Sequence, residues 1–473
     1  MNGDALLAIG ELAQRTGIPV KTIRYWSDRG LMPPAGRSPA GYRLYDGEAA
    51  ARLDLIRTLR ALGVGLDSVR GVLDRETTFP EVAAAHAEAL AVQIRALRLR
   101  HAVLTAAAES AAAPEELEEL HRLATLPEAE RHRLVDDFLA TVLTPDGEPP
   151  TPFAPLAASL RPELPAEPTP EQIRAWAELA GLVRENGFRA SLRGMADEYG
   201  AEHPASVPPR ADIVAVACDL AGPALAAGTD PAAPEAAAVA DALAAHQATL
   251  LGRPDGPDLR HRLAARLERA ADPCWERYLR LLAVVNGWPA PESRSPALAW
   301  SVQALRTLRT DTLVLRPWRD EDAPAVASAH RGDPALRRWA THRMEDDPAA
   351  LDWIHAQRDA WTEETRHAFA VAEPGPEGAL LGGVVLKRPG EVGYWTAPEA
   401  RGRSVAPRAL AALTAWAFTA LAPHAPDRLE LLHQADNTAS CRVAEKCGYP
   451  LTHHLPPAPP AYPEEGHVHV RER

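Results

Sequence analysis

Cysteine is scarce in this chain: Cys218, Cys274, Cys441 and Cys447 are the only four in 473 residues, and none form a CxxC pair. That count excludes a disulfide framework and argues against zinc held by the cysteines, so reduced thiols are expected. Lysine is scarcer still, at Lys21, Lys387 and Lys446, which leaves arginine to carry most of the positive charge. No window approaches the roughly 18 uncharged apolar residues of a membrane helix, and the opening MNGDALLAIGELAQ lacks the basic start and apolar run of a signal peptide. A cytoplasmic protein with no membrane partner is expected. Aromatics reach only 5%, yet 46% of residues are hydrophobic, including 11 Trp, which is too apolar for a wholly disordered polymer. At 473 residues the chain calls for several cores rather than one.

Proline marks the seams. Residues 145–170 hold nine prolines, and smaller breaks fall at 203–210, 252–258 and 289–296. The blocks they separate differ in pattern. The first, to about residue 112, reads as short helices and then one long helix. The second, 113–305 with its Pro-rich linker, is Ala-, Leu- and Glu-rich at helical spacing with no convincing strand. The third, 308–473, alternates strand-like runs such as LVLRPW and LLGGVVL with helices such as RALAALTAWAFTAL, which implies an α/β or α+β core.

The net charge of −13 would repel a phosphate backbone if spread evenly, but residues 21–60 carry eight basic side chains against four acidic ones. Ile9–Thr16 reads as a short helix closed by Gly17. Val20–Arg29 reads as a second, with Ile23 inward and Lys21, Thr22, Arg24 and Tyr25 offered to a groove. The following RSPAGYRLYD, turning at Gly41, forms a wing that presents Arg37, Tyr42, Arg43 and Tyr45. IGELAQRTGIPVKTIRYWSDRGLMPP followed by AGYRLYD resembles the MerR family of transcription regulators, with Trp26-Ser27 where that family usually has Tyr-Glu. The resemblance implies a winged helix-turn-helix over 1–75 and a dimerisation helix over 76–112. It further implies a homodimer joined by an antiparallel coiled coil that binds double-stranded promoter DNA and deforms it. Leu90, Ile94, Leu97, His101 and Leu104 supply the three- and four-residue repeat of such a seam. Metal-sensing members place cysteines at the ends of that helix; here the first is Cys218, so no metal is expected.

The middle block reads as a helical bundle. Trp176, Phe188, Trp275, Tyr278 and Trp288 either fill its core or line a pocket for a small-molecule effector. His121, Glu130 and His132 read as solvated surface.

In the third block a strand, an Arg- and Gly-dense loop and a helix follow one another in EVGYWTAPEARGRSVAPRALAAL. A loop feeding a helix N-terminus supplies convergent N–H donors and positive potential for a diphosphate. Further on, Asp436-Asn437 caps a helix that ends at Gly448. These stretches resemble the GNAT acetyltransferases, especially the branch that acetylates protein N-termini and ribosomal proteins. The resemblance implies a GNAT fold with acetyl-CoA as co-substrate and an amine acceptor. By it, Arg401, Gly402, Arg403, Ser404, Val405 and Ala406 hold the diphosphate, Gly393, Tyr394, Trp395 and Thr396 pair with the pantetheine arm, and Asn437 and Ser440 lie near the thioester. Glu391 is the candidate base or else a strand-edge charge. Ser440 assists the leaving thiol or else satisfies backbone donors at its helix N-terminus. Ser404 replaces the family's second loop glycine, which leaves two functions open: an active N-acetyltransferase joined to a regulator, or a pure regulator whose GNAT-like domain senses a ligand or is structural. The closing HVHVRER is a possible last strand, and His453, His454, His467 and His469 suggest an exposed tail rather than a metal site.

Overall fold

A computed structural model describes residues 6–110, 113–143, 159–202, 213–339, 344–375, 378–421, 425–459 and 463–473. The Pro-rich linker at 145–170 lies outside the described residues as far as 158, and the break at 203–210 lies wholly outside them. The chain forms two compact units, one holding the described residues up to 124 together with 165–170, the other holding 125–164 and 171–473.

The first unit runs β1 (Leu7–Ala8), α1 (Ile9–Thr16), α2 (Val20–Asp28), β2 (Gly36–Arg37), β3 (Arg43–Tyr45), α3 (Glu48–Ala61), α4 (Leu66–Leu73), α5 (Phe79–Glu109) and α6 (Pro114–Thr125). Gly17, at φ +70°, closes α1 in the left-handed region, and α2 starts three residues later. Leu12, Ile23, Leu31, Leu53, Ile56 and Val69 bury their side chains in one core beneath the two short helices. Strands β1, β3 and β2 form a small antiparallel sheet in that order, and the β2–β3 hairpin is the expected wing. Helix α5 is started by a capping box in which Glu81 accepts from the Thr78 N–H at 2.9 Å and Thr78 Oγ1 accepts from the Glu81 N–H. At ~1.5 Å per residue its 31 residues span roughly 46 Å.

The second unit opens with helices α7 (Glu128–Leu143), α8 (Pro170–Leu182), α9 (Asn186–Glu202), α10 (Ile213–Ala226), α11 (Pro234–Leu251), α12 (Pro257–Ala270), α13 (Pro273–Asn286) and α14 (Ser295–Arg306). Four of these helices begin on proline, where the missing N–H removes no intrahelical bond, so a proline-rich chain still builds a helical bundle. Trp176, Phe188 and Tyr278 are buried, Trp275 stacks on Tyr278 with centroids 5.5 Å apart, and Trp288 is exposed. Of the two readings of these aromatics, core or effector pocket, core holds for Trp176, Phe188 and Tyr278, with Trp275 half-buried against Tyr278.

An eight-stranded sheet follows, in the order β10-β11-β9-β8-β7-β6-β5-β4. Its strands are β4 (Leu308–Arg309), β5 (Val314–Arg316), β6 (Arg366–Ala372), β7 (Leu380–Lys387), β8 (Glu391–Thr396), β9 (Arg428–Gln434), β10 (Leu451–Leu455) and β11 (Gly466–Glu472). Helices α15 (Ala323–Gly332), α16 (Pro334–Trp339), α17 (Asp347–Thr362), α18 (Val405–Ala420) and α19 (Thr438–Lys446) connect them. The LRPW motif leads into the sheet's first connection through a buried fork: the Arg316 guanidinium donates to both Asp322 carboxylate oxygens at 2.7 and 2.8 Å. No linker separates the helices from the sheet, since α14 leads directly into β4, Arg306 pairs with Glu268 of α12 at 2.6 Å, and Arg309 donates to the carbonyls of Pro231 and Ala233. The change near residue 308 is one of secondary-structure class inside a single compact unit.

The chain's end departs from expectation. β11 is an interior strand paired to β9 and β10, with Val468, His469 and Val470 buried. It is not an exposed tail, because strands pair with it on both edges.

Candidate functional site

Helix α2 presents two faces. Ile23, Trp26 and Ser27 are buried, while Lys21, Arg24 and Tyr25 are exposed and Thr22 is half-buried. The Trp26-Ser27 pair that departs from the MerR pattern is thus packed inward: Ser27 Oγ donates to the Met32 carbonyl at 2.8 Å and accepts from Tyr45 Oη at 3.1 Å. The exposed row is held in register by arginines from other helices. Arg57 donates to the Thr16 carbonyl, Arg52 to that of Leu31 and Arg70 to that of Arg29, so the turn and both helix ends are tied to α3 and α4.

On the wing, Arg37 and Tyr42 are exposed. Arg43 bridges to Asp28 of α2 at 2.6 Å, and this hydrogen-bonded pair raises its pKa. Its charge is locally compensated, and its geometry fixes the wing to the helix. Tyr45 corrects the expectation: it is fully buried, with its hydroxyl on Ser27, so it anchors the wing from below and cannot meet DNA.

The second surface lies where the sheet opens. β8 pairs with β7 along its length but pairs in parallel with β9 only at Glu391↔Glu430 and Val392↔Leu431. Beyond Val392 the two strands part, leaving one edge of Gly393, Tyr394, Trp395 and Thr396 without a β9 partner. Gly390 permits the tight approach at the closed end, since a Cβ there would sit 2.8 Å from the Arg428 carbonyl oxygen.

Past Thr396 the chain enters the loop that feeds α18. Gly402 takes φ +76° and Ser404 takes φ +56°, both left-handed. At the start of α18 the Val405 and Ala406 N–H groups have no intrahelical acceptor, while Pro407 has no N–H and that of Arg408 already bonds the Ser404 carbonyl at 3.4 Å, so two helix donors face this end. Arg401 is ion-paired with Asp333 and Arg403 with Glu373. Burial works to raise the Asp333 carboxyl, but hydrogen bonds from Arg401 and the Ala335 N–H more than offset it and hold it low. Arg408, which sequence reasoning passed over, donates to the carbonyls of Arg403 and Ser404 at 2.9 and 3.0 Å and so satisfies both acceptors within the loop.

Ser404 pays for its conformation. A non-glycine residue in the left-handed region costs about 1–2 kcal/mol. Ser404→Gly is therefore expected to stabilise the protein by about 1 kcal/mol, read as a higher denaturant midpoint at unchanged slope.

Across the opening, Tyr394 Oη donates to Ser440 Oγ at 3.0 Å. Burial pushes the phenol up to about 12, so it remains protonated at neutral pH. Asn437 caps α19, accepting from the Ser440 N–H at 3.2 Å. The capping role and the site role of this turn coexist, because the cap uses the Ser440 amide and leaves its hydroxyl to Tyr394. Glu391 sits at the closed end, its carboxylate 2.6 Å from Lys387 Nζ. Structure thus brings Tyr394, Asn437 and Ser440 together and holds Glu391 at the root of the opening. The hydroxyl of Tyr394 was legible only as part of a strand motif.

Residues 7–76 match the model of the MerR HTH family regulatory protein, and residues 312–450 match that of the acetyltransferase (GNAT) domain. The nodulation protein NolA of Bradyrhizobium sp. (strain NC92) is 38% identical over 93 residues, which are 20% of this chain and 39% of that protein. The mercuric resistance operon regulatory protein of Bacillus cereus is 41% identical over 71 residues, 14% of this chain and 54% of that one. The chain thus spans about two fifths to one half of the length of these relatives. Among solved structures, the ribosomal-protein-S5-alanine acetyltransferase of Vibrio fischeri covers 35% of this chain and 96% of its own, at 17% identity and a TM-score of 0.31. RimJ of Mycobacterium smegmatis in complex with CoA-disulfide covers 34% and 81%, at 18% identity and a TM-score of 0.30. The chain carries a MerR-type helix-turn-helix domain at its N-terminus and a GNAT acetyltransferase domain at its C-terminus.

Proposed function

We propose that this protein is a homodimeric, DNA-binding transcription regulator whose C-terminal domain transfers an acetyl group from acetyl-CoA to an amine. The observation that carries the acyltransfer half is the parting of β8 from β9 beside the Gly402–Ser404 loop: a free strand edge for an amide-bearing arm, ending at convergent donors for a diphosphate. The DNA-binding half rests on the exposed Lys21, Arg24 and Tyr25 of α2 with Arg37 and Tyr42 of the wing. Dimerisation rests on Leu90, Ile94, Leu97 and Leu104, an exposed apolar row along α5 that one chain leaves uncovered.

In the transfer, the amine lone pair attacks the thioester carbonyl, the C–N bond forms and the C–S bond breaks. Glu391, paired with Lys387, takes the ammonium proton directly or through water. The Tyr394–Ser440 hydroxyl pair supplies the proton to the departing thiolate. The backbone at Arg401–Ala406 holds the diphosphate, with Arg401 and Arg403 exchanging their carboxylate partners for phosphate.

A cavity inside the second unit offers a place for an effector. It is lined by His261, Arg306, Thr310, Trp361 and Trp416, and burial pushes the His261 imidazole down to about 4, which keeps it neutral at pH 7.

Two measurements on the full-length protein test the reading. A DNA fragment from upstream of its own coding sequence should shift in a gel, with affinity falling steeply as salt rises. Calorimetric titration with acetyl-CoA should show one saturable site per chain. No shift at low salt removes the regulator, and no binding heat removes the acyltransferase. Binding without turnover would instead favour the pure regulator, a reading to which the left-handed Ser404 and the ion-paired loop arginines also lend weight.

A further inference from the structure

Beside the acyltransfer opening, the sheet gathers four side chains of metal-ligating type far apart in sequence. His433 of β9 and His467 of β11 are directly opposed in the antiparallel register, and His469 lies two positions on, on the same face. Cys441, from the first turns of α19, approaches that face with Sγ 3.3 Å from His467 Nδ1. One ligand atom from each of the four residues lies within 4.8 Å of the others.

The hydrogen bonding fixes which atoms are free. His433 Nδ1 is 2.8 Å from the Gln434 carbonyl and His469 Nδ1 is 3.0 Å from the Tyr449 carbonyl. A carbonyl only accepts, so each Nδ1 carries the hydrogen and each Nε2 keeps a lone pair. Both Nε2 atoms are buried without a hydrogen-bond partner among the described residues, and His469 is 1% exposed. Metal-ligating imidazoles are held in this way, one nitrogen donating to a backbone carbonyl while the other is left for the ion.

We propose that His433, Cys441, His467 and His469 form a four-coordinate Zn²⁺ site that ties α19, and with it the turn bearing Ser440, to the β9–β11 pair. Three nitrogens and one thiolate suit a tetrahedral, borderline-soft ion, and the set contains no carboxylate for a hard cation. Zinc bond lengths put tetrahedral ligand–ligand edges at about 3.3–3.6 Å. The Cys441–His467 spacing already falls there, and the remaining atoms, all within 4.8 Å of one another, must draw closer when the ion binds. On binding, Cys441 releases its proton to solvent and Zn–S and Zn–N bonds form, with no change of oxidation state. His454 and Glu465, paired at 3.1 Å, form an adjoining and more exposed group with His467, and they are the competing location for an ion.

The test uses the tag-free full-length protein stripped of metal, with Co²⁺ as the optical probe and Zn²⁺ as its competitor. The expected result is a single Co²⁺ per chain with intense visible bands of tetrahedral coordination and a near-ultraviolet thiolate-to-cobalt band, both abolished by one equivalent of Zn²⁺. Cys441→Ser should lose the thiolate band and weaken zinc at least about 100-fold, more than the loss of an outer-shell partner does. His469→Ala should also weaken it, and His454→Ala should leave both unchanged. Circular dichroism of each metal-free variant checks folding, and zinc should raise the melting temperature of the wild type but not of Cys441→Ser. Absence of tetrahedral bands in the wild type would overturn the proposal. So would loss of binding in His454→Ala with retention in Cys441→Ser.

Discussion

Ser440→Ala and Tyr394→Phe are each expected to lower the rate of acetyl transfer by about 10²–10⁴-fold, the range that a positioned proton donor contributes. The two hydroxyls are 3.0 Å apart across the opening of the sheet, and each variant removes one end of that bond. Their effects should not multiply, because either loss breaks the same proton path. The Ser440 amide would still donate to Asn437, so α19 should stay capped and acetyl-CoA affinity should change little, moving kcat rather than KM. The alkaline side of the rate profile adds a second check. A phenol raised to about 12 by burial remains protonated well above pH 9, so no fall in rate assigned to Tyr394 should occur until pH nears its folded value. The same shift has a stability sign: an unfolded tyrosine ionises near pH ~10, so the contribution is intact below that and is lost between there and about 12. Steady-state kinetics of the two single variants and the double variant measure all of this.

Arg24→Ala is expected to weaken promoter binding by about 5–150-fold, the loss of about 1–3 kcal/mol that follows removal of a base-reading arginine. Arg24 is exposed on α2, opposite the buried Ile23 and Trp26 face, so its removal leaves the core of the first unit untouched. Tyr45→Phe is the contrasting case. It removes the hydrogen bond to Ser27 and should cost about 0.5–1.5 kcal/mol of stability, with little direct effect on DNA contacts. Gel shifts at several salt concentrations, paired with thermal unfolding of both variants, separate a contact from an anchor.

Much of this was legible in the sequence where the signal is local. Gly17 between two short amphipathic helices and the Arg-Gly loop before α18 both act within a few residues of themselves, and each stands in the structure where its pattern implies. The misread residues depend on partners far along the chain. Tyr45 closes a three-residue strand, too short for alternation to reveal a face, and its burial is set by Ser27 eighteen positions earlier. The closing strand looked like a tail because its neighbours β9 and β10 are fixed by sheet register, which proline-rich flanks obscure. The gathering of His433, Cys441, His467 and His469 has the same origin: no spacing rule links a strand, a helix and another strand paired in reverse. Two prolines misled in the opposite sense, since Pro170 and Pro257, which read as parts of breaks, are the first residues of helices.

The central claim is that the opening between β8 and β9 performs acyl transfer. Release of free thiol from acetyl-CoA by the full-length protein, followed over a panel of primary amines and N-terminal peptides, tests it most directly. Amine-dependent release that disappears in Ser440→Ala is the predicted result. Saturable binding of acetyl-CoA with release no faster than in protein-free buffer, whatever the amine, would contradict it.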